Sequence, residues 1–364
     1  MKKIIFLSLV TMSFSIMSME TNRSQIIGGS DIIKYGASTT LNKREYMEDY
    51  IHHRLNKDDN DKQVADFAVY DGHGGHETAE YLQNNFHKLV DEALRKEQSE
   101  AKANLGMPII MEKVLASAVA TADKHAVDKF TCGSTLTYVR MLESGETYLG
   151  WVGDSRIIVG NRKNGVKFVT QGHDLNEKER ERIIKAGGEK HLLKRTYNGT
   201  KTWRFGFPIE GTPKIALSRS IGDYIFKNEK HCVGFIATPD YHHMKLELGD
   251  FIVVCSDGAF TMDVSEVVSS EEIVQQVNDG LKSSLSLDKI AQLIQNYAIG
   301  KGSKDNIAVI VTTFGEEDTS VVKEEISYVS SMLSVTNNFL SSPYVLQTFC
   351  LLLFMAGWKY NSSK

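Results

Sequence analysis

Twice in this chain an apolar run delivers an aspartate into a glycine-containing loop, and once an aspartate stands at the head of such a run. Ala65-Asp66-Phe67-Ala68-Val69 has the composition of a buried strand and leads into Tyr70-Asp71-Gly72-His73-Gly74-Gly75. Phe251-Ile252-Val253-Val254-Cys255 has the same form ahead of Ser256-Asp257-Gly258. Ser303-Lys304-Asp305-Asn306 is the inverse, its acid placed just before the apolar residues 307–311. Near the start, Arg44-Glu45-Tyr46-Met47-Glu48-Asp49 sets an arginine ahead of two adjacent acids. A lone Asp-Gly fits an ordinary hairpin turn. Its repetition at several strand ends points instead to one shared pocket. Gathered carboxylates repel one another unless a cation neutralises them, and all-oxygen ligation suits Mg2+ and Mn2+ rather than zinc. A two-metal site is expected. Glycines on both sides of His73 let backbone come close to a ligand, so that Gly72 can offer its carbonyl and His73 can project into a cleft.

Taken in order, Arg44-x-x-Met-Glu-Asp49, Asp71-Gly-His-Gly-Gly75, Gly133-Ser-Thr135, Gly153-Asp-Ser-Arg156, Ser218-Arg-Ser-Ile-Gly-Asp223, Ser256-Asp-Gly258 and Lys304-Asp-Asn306 resemble the metal-dependent type 2C protein serine/threonine phosphatases, the PPM family. The resemblance runs from residue 34 to residue 314. It implies an α+β fold, a four-layer α-β-β-α sandwich with two mainly antiparallel sheets and outer helices. It implies two Mn2+ or Mg2+ ions bridged by Asp71, with the Gly72 carbonyl on one, Asp257 and Asp305 on the other, and Glu48 and Asp49 acting largely through coordinated water. Asp154, by itself readable as a turn acid, takes a third and weaker metal position in the same comparison. The implied reaction is hydrolysis of phosphoserine or phosphothreonine by a water or hydroxide bridging the two ions. Arg44 is the candidate phosphate clamp, since a guanidinium presents fixed donors to two phosphate oxygens. His73 is the candidate general acid for the leaving oxygen. Asp223 is a candidate supporting residue, with a structural cap as the plainer alternative. Two rival readings stay open: a catalytically silent phosphatase-like binding module, and a phosphatase of small phosphoesters.

The 364 residues suffice for one large domain with appendages, here residues 24–318. The formal net charge of −4 gives no sign of nucleic-acid binding, and phosphoproteins are the expected partners of an expected monomer. Met1-Lys2-Lys3 and the apolar residues after it read as an export signal or an N-terminal anchor over 1–23, with a packed helix as the alternative. Residues 319–342 read as a linker, and the apolar stretch 343–359 as a membrane-attaching tail or a docked terminal helix. Together the two ends predict an exported or membrane-anchored protein whose catalytic domain lies outside the cytoplasm, an awkward place for a protein phosphatase. Cys132, Cys232, Cys255 and Cys350 show neither zinc spacing nor a readable disulfide framework.

Helical spacing of apolar residues predicts helices over 78–96, 110–125, 270–281 and 287–297. Short runs at 134–141 and 147–152, separated by tight glycine turns, predict antiparallel strands. A charged helix is expected over 172–188, ending on Gly187-Gly188. Relatives commonly carry His-Lys-Pro where this chain has His173-Asp174-Leu175. The basic stretch 189–212 reads as the least regular part, either a flap beside the active site or an ordinary solvated loop. His125 is most simply a solvated residue.

Overall fold

A computed structural model describes residues 32–58, 61–103, 109–197, 200–227, 233–262, 265–266 and 268–315. The signal or anchor at 1–23, the linker at 319–342 and the tail at 343–359 lie outside the described residues. Among the described residues no helix is long and apolar enough to cross a membrane.

Two antiparallel sheets are stacked face to face. One is ordered Ile33–Thr40, Ile307–Phe314, Asp250–Cys255, Arg156–Asn161, Gly165–Val169. The other is ordered Ile221–Gly222, Gly133–Ser134, Gln63–His73, Leu136–Leu142, Glu146–Val152, Asp240–Lys245, with Asp49–Lys57 also paired to Gln63–His73. Strand alternation distributes the core. Ala65, Phe67 and Val69 join Val139, Ile157, Ile252, Val254 and Ile310 between the sheets. Ala68 and Tyr70, pointing the other way, lie with Leu82, Phe86 and Val90 of the Glu77–Ala103 helix and Val114, Leu115 and Ala118 of the Met111–Lys129 helix. The outer face of the first sheet is covered by Ile273, Val274 and Val277 of Ser270–Lys282 and by Ile290, Ala291 and Ile294 of Leu287–Gly300. Asp250–Cys255 and Ile307–Phe314 are buried along their whole length, which is why their sequences read as unbroken apolar runs although the strands are antiparallel. The architecture is the expected α-β-β-α sandwich.

Local expectations needed adjustment. The charged helix spans Glu177–Lys185, not 172–188, because the Asn176 side chain caps it by accepting from the Glu179 amide. The residues before the cap are held extended instead: Asp174 bridges to Leu217, and the Ser218 amide donates to the His173 carbonyl. The stretch expected to be irregular forms a three-stranded sheet, Leu192–Tyr197, Thr200–Gly206 and Lys214–Ile215. Its own small core joins Phe205 to Leu175, Ile183, Leu217, Phe226 and Phe235. His125 is exposed but stacks on Tyr81, with ring centroids 4.2 Å apart.

Candidate metal centre and phosphoryl site

Strand order brings the acids together. Asp257 follows the Asp250–Cys255 strand and Asp305 precedes its antiparallel neighbour Ile307–Phe314, so both stand at the same end of the first sheet. Asp154 precedes Arg156–Asn161, whose Arg156 is in register with Cys255 at that end. In the second sheet Asp49 opens one strand and pairs directly with Asp71, close to the end of the next. Carboxylate oxygens of Asp71, Asp154 and Asp257 all come within 4.8 Å of one another.

Each acid is fixed from behind. The Asp71 amide donates to Thr135 Oγ1 at 3.1 Å, and Thr135 Oγ1 in turn meets Ser155 Oγ at 2.8 Å. Ser256 Oγ donates to Asp49 Oδ2 at 2.6 Å, and the Asp257 amide donates to Asp71 Oδ2 at 3.4 Å. Asp154 follows Gly153, whose amide and carbonyl are held by Nδ1 and the amide of His173. Glu48 supports the loop, its Oε1 accepting from the Gly75 amide at 2.8 Å while its own amide donates to Asn306 Oδ1 at 2.8 Å. Gly72 has to be glycine: its amide donates to the Glu48 carbonyl, and a Cβ would lie 2.6 Å from that oxygen. Arg44, half exposed, donates from Nη2 to Asp305 Oδ2 at 2.6 Å. His73 Nε2 lies 2.7 Å from Asp223 Oδ2.

The electrostatics test whether a divalent ion fits. Burial and the neighbouring acids outweigh the downward pull of the Arg156 charge on Asp154 and of the Arg44 charge on Asp257. Burial and the charges of Asp49, Asp257, Asp154 and Asp305 push the Asp71 carboxyl well above the usual carboxylate range. Burial and Asp257 do the same to Asp154. Asp257 rises to about 6 through burial and Asp305, and Asp49 to about 7 through burial and the charges of Asp257 and Asp305, against the pull of the Ser256 hydrogen bond. A group of carboxylates disfavoured as anions by one another, with oxygen donors alone, is the ligand set of a hard divalent cation. The residues present fit Mn2+ or Mg2+.

One carboxylate of this region was not selected from the sequence. Asp174 lines the same cleft as Asp154 and Asp257, and its charge raises both. The replacement of the His-Lys-Pro pattern by an acid was the available signal. The cleft has a volume of about 800 Å3 and continues from these acids past Arg156 and Phe260 to Trp203 and Arg204 on the Thr200–Gly206 strand. The Trp203 ring is approached by the Arg180 guanidinium at 5.1 Å and the Lys194 ammonium at 5.5 Å.

The fold and the sequence have counterparts. Serine-threonine phosphatase 2C from Toxoplasma gondii superposes with a TM-score of 0.61 at 18% identity, covering 78% of this chain and 95% of that one, a likeness of fold. Protein phosphatase 1K, mitochondrial, of Xenopus laevis is 32% identical over 305 residues, 80% of this chain and 70% of that protein. Probable protein phosphatase 2C 11 of Arabidopsis thaliana is 32% identical over 286 residues, 77% of this chain and 66% of that protein. The family described as Protein phosphatase 2C matches residues 33–307, a span holding every acid of the cluster, and the chain belongs to that family.

Proposed function

We propose that this chain is a protein serine/threonine phosphatase dependent on Mn2+ or Mg2+. The observation that carries the reading is the convergence of Asp71, Asp154 and Asp257, mutually repelling, at the sheet ends where Arg44 and His73 also stand. Two divalent ions held there would supply a water nucleophile at neutral pH and offset the charge of the phosphoryl group. Asp71, the Gly72 carbonyl, Asp257 and Asp305 would hold them directly, Asp49 and Glu48 would do so through water, and Asp154 would hold a third, weaker ion. Arg44 steadies two phosphate oxygens with its forked donors, its side chain exposed enough to reach them. His73 gives a proton to the seryl or threonyl oxygen as it leaves. The cleft past Trp203 and Arg204 receives the polypeptide on one side of the phosphoresidue.

The test is hydrolysis of a phosphothreonine peptide by the full chain in Mn2+, in Mg2+ and in chelator, beside Asp257→Asn. We expect turnover that needs metal and falls at least about 10³-fold in the variant. A folded wild-type protein without turnover in either metal would make the silent binding module the better account.

A further inference from the structure

The family's acid cluster leaves one buried carboxylate at the site without a task. Asp223 is only 5% exposed, yet its Oδ2 lies 2.7 Å from Nε2 of His73, which is 30% exposed. The pairing spans 150 residues of sequence and is built by two minimal strands. His73 is in register with Gly133 and Gly133 with Gly222, so the next residue, Asp223, arrives against the imidazole.

The chain accepts local cost to make this contact. Gly222 and Asp223 both take positive φ, +80° and +57°, a left-handed conformation that is unfavourable for a non-glycine residue. The Asp223 amide is pinned to the Cys132 carbonyl at 3.0 Å, and Ser220 Oγ donates to Asp223 Oδ2. At Gly133 a Cβ would lie 2.2 Å from Asp223 Oδ2 and 2.5 Å from His73 Nε2, so the imidazole and carboxylate meet over a backbone that only glycine leaves bare. A buried carboxylate is held by whatever donors reach it, and among the described residues those are the Ser220 hydroxyl and the His73 ring, with the Lys227 ammonium adding its charge.

We infer that Asp223 is the positioning residue of His73: it takes Nε2–H, fixes the ring, and leaves Nδ1 as the atom that protonates the leaving oxygen. This rests on the reading in which His73 is the general acid. In the step, a water oxygen bonds to phosphorus and the bond from phosphorus to the seryl or threonyl oxygen breaks. The electron pair stays on that oxygen and the proton comes from His73 Nδ1–H. Throughout, the Nε2 proton stays on the ring and hydrogen-bonds to Asp223, so the imidazolium that gives up Nδ1–H is left as the neutral Nε2–H tautomer. The carboxylate touches neither substrate nor metal and acts through the ring alone.

The experiment is a double-mutant cycle on the full chain with His73→Ala, Asp223→Asn and the pair, using a phosphothreonine peptide and p-nitrophenyl phosphate. Mn2+ affinity is measured for each variant by calorimetry. Because the aryl leaving group needs no proton, each single change should lower kcat on the peptide by about 10- to 10²-fold and on the aryl ester by less than about threefold. Mn2+ affinity and KM should stay within about twofold, and the double variant should be no slower than His73→Ala. Asp223→Gly, which suits the positive φ, should reproduce Asp223→Asn and covers the case in which the amide fails to fold. Equal losses on both esters in either Asp223 variant, or losses that multiply in the pair, would overturn the inference. A leaving-group split in His73→Ala that is missing from Asp223→Asn would overturn it while leaving the acid in place. Equal losses in His73→Ala would remove the acid and the inference together.

Discussion

Asp66 and Asp71 lie on the same Gln63–His73 strand, Asp66 buried and Asp71 half-buried, and their surroundings are opposite. Asp66 faces the helices. Burial pushes its carboxyl up, and the charges and hydrogen bonds of Arg140 and Arg54 with the Tyr138 hydroxyl overrule that and hold it at about 2. Arg140 Nε reaches Asp66 Oδ1 at 2.7 Å, Tyr138 Oη reaches it at 2.5 Å, and Asp91 takes the remaining donors of both arginines. Asp71, by strand parity, turns to the space between the sheets at their open end, where its carboxylate lies beside those of Asp154 and Asp257 and accepts from the Asp257 amide. The contrast separates a carboxylate that the protein satisfies for itself from one that it leaves for a cation. A buried acid alone signals nothing; acids brought within ligating distance of one another do.

Substitution should split the two. Asp71→Asn is expected to lower phosphatase activity at least about 10³-fold while the metal-free protein melts no lower than wild type, since a repelled charge is gone. Asp66→Asn should lower stability by about 3–5 kcal/mol in denaturant titrations, because it leaves two buried guanidiniums short of a partner. Comparable destabilisation by both, or an active Asp71→Asn, would erase the distinction.

Acidity offers a smaller but more selective effect. Asp49 and Asp257 have folded-state values near 7 and 6 against an ordinary 3.8, so between about pH 7 and 4 the native protein binds protons that the unfolded chain does not. Without metal, this group's contribution to stability is fully present below 3.8 and is lost as pH rises through 6 to 7. Asp66 works in reverse, contributing above 3.8 and lost as pH falls towards 2. His52, lowered to about 4 by burial and the neighbouring His87, removes stability as pH falls from 6.5, but equally with and without metal. The difference in melting temperature between Mn2+-saturated and chelated protein isolates the cluster. It should be about 5 °C at pH 7.5 and less than half of that at pH 5. A gap that stays constant with pH would contradict protons and metal competing for one set of oxygens.

How much of this could be read from residues alone follows the same division. Asp71, Asp257 and Asp305 were legible because each marks the junction of an apolar run with a loop, and Glu48-Asp49 because the arginine precedes it. The Asp49–Lys57 strand was not separately legible, since Ile51-His52-His53-Arg54 is half-buried and polar and lacks strict alternation. The sheet over 192–215 was hidden because its strands are short, charged and stabilised by a separate aromatic core. The pairing of Asp223 with His73 and the approach of Asp174 to Asp154 depend on strand register across long separations, which no local period carries.

The central claim is that the acids around Asp71 are held for divalent cations. Calorimetric titration of the chelator-stripped full chain with Mn2+ tests it most directly, beside Asp257→Asn. The account predicts saturable binding by the wild type, with at least two ions, and loss of the tighter sites in the variant. No binding by folded wild-type protein, or an unchanged isotherm in Asp257→Asn, would contradict it.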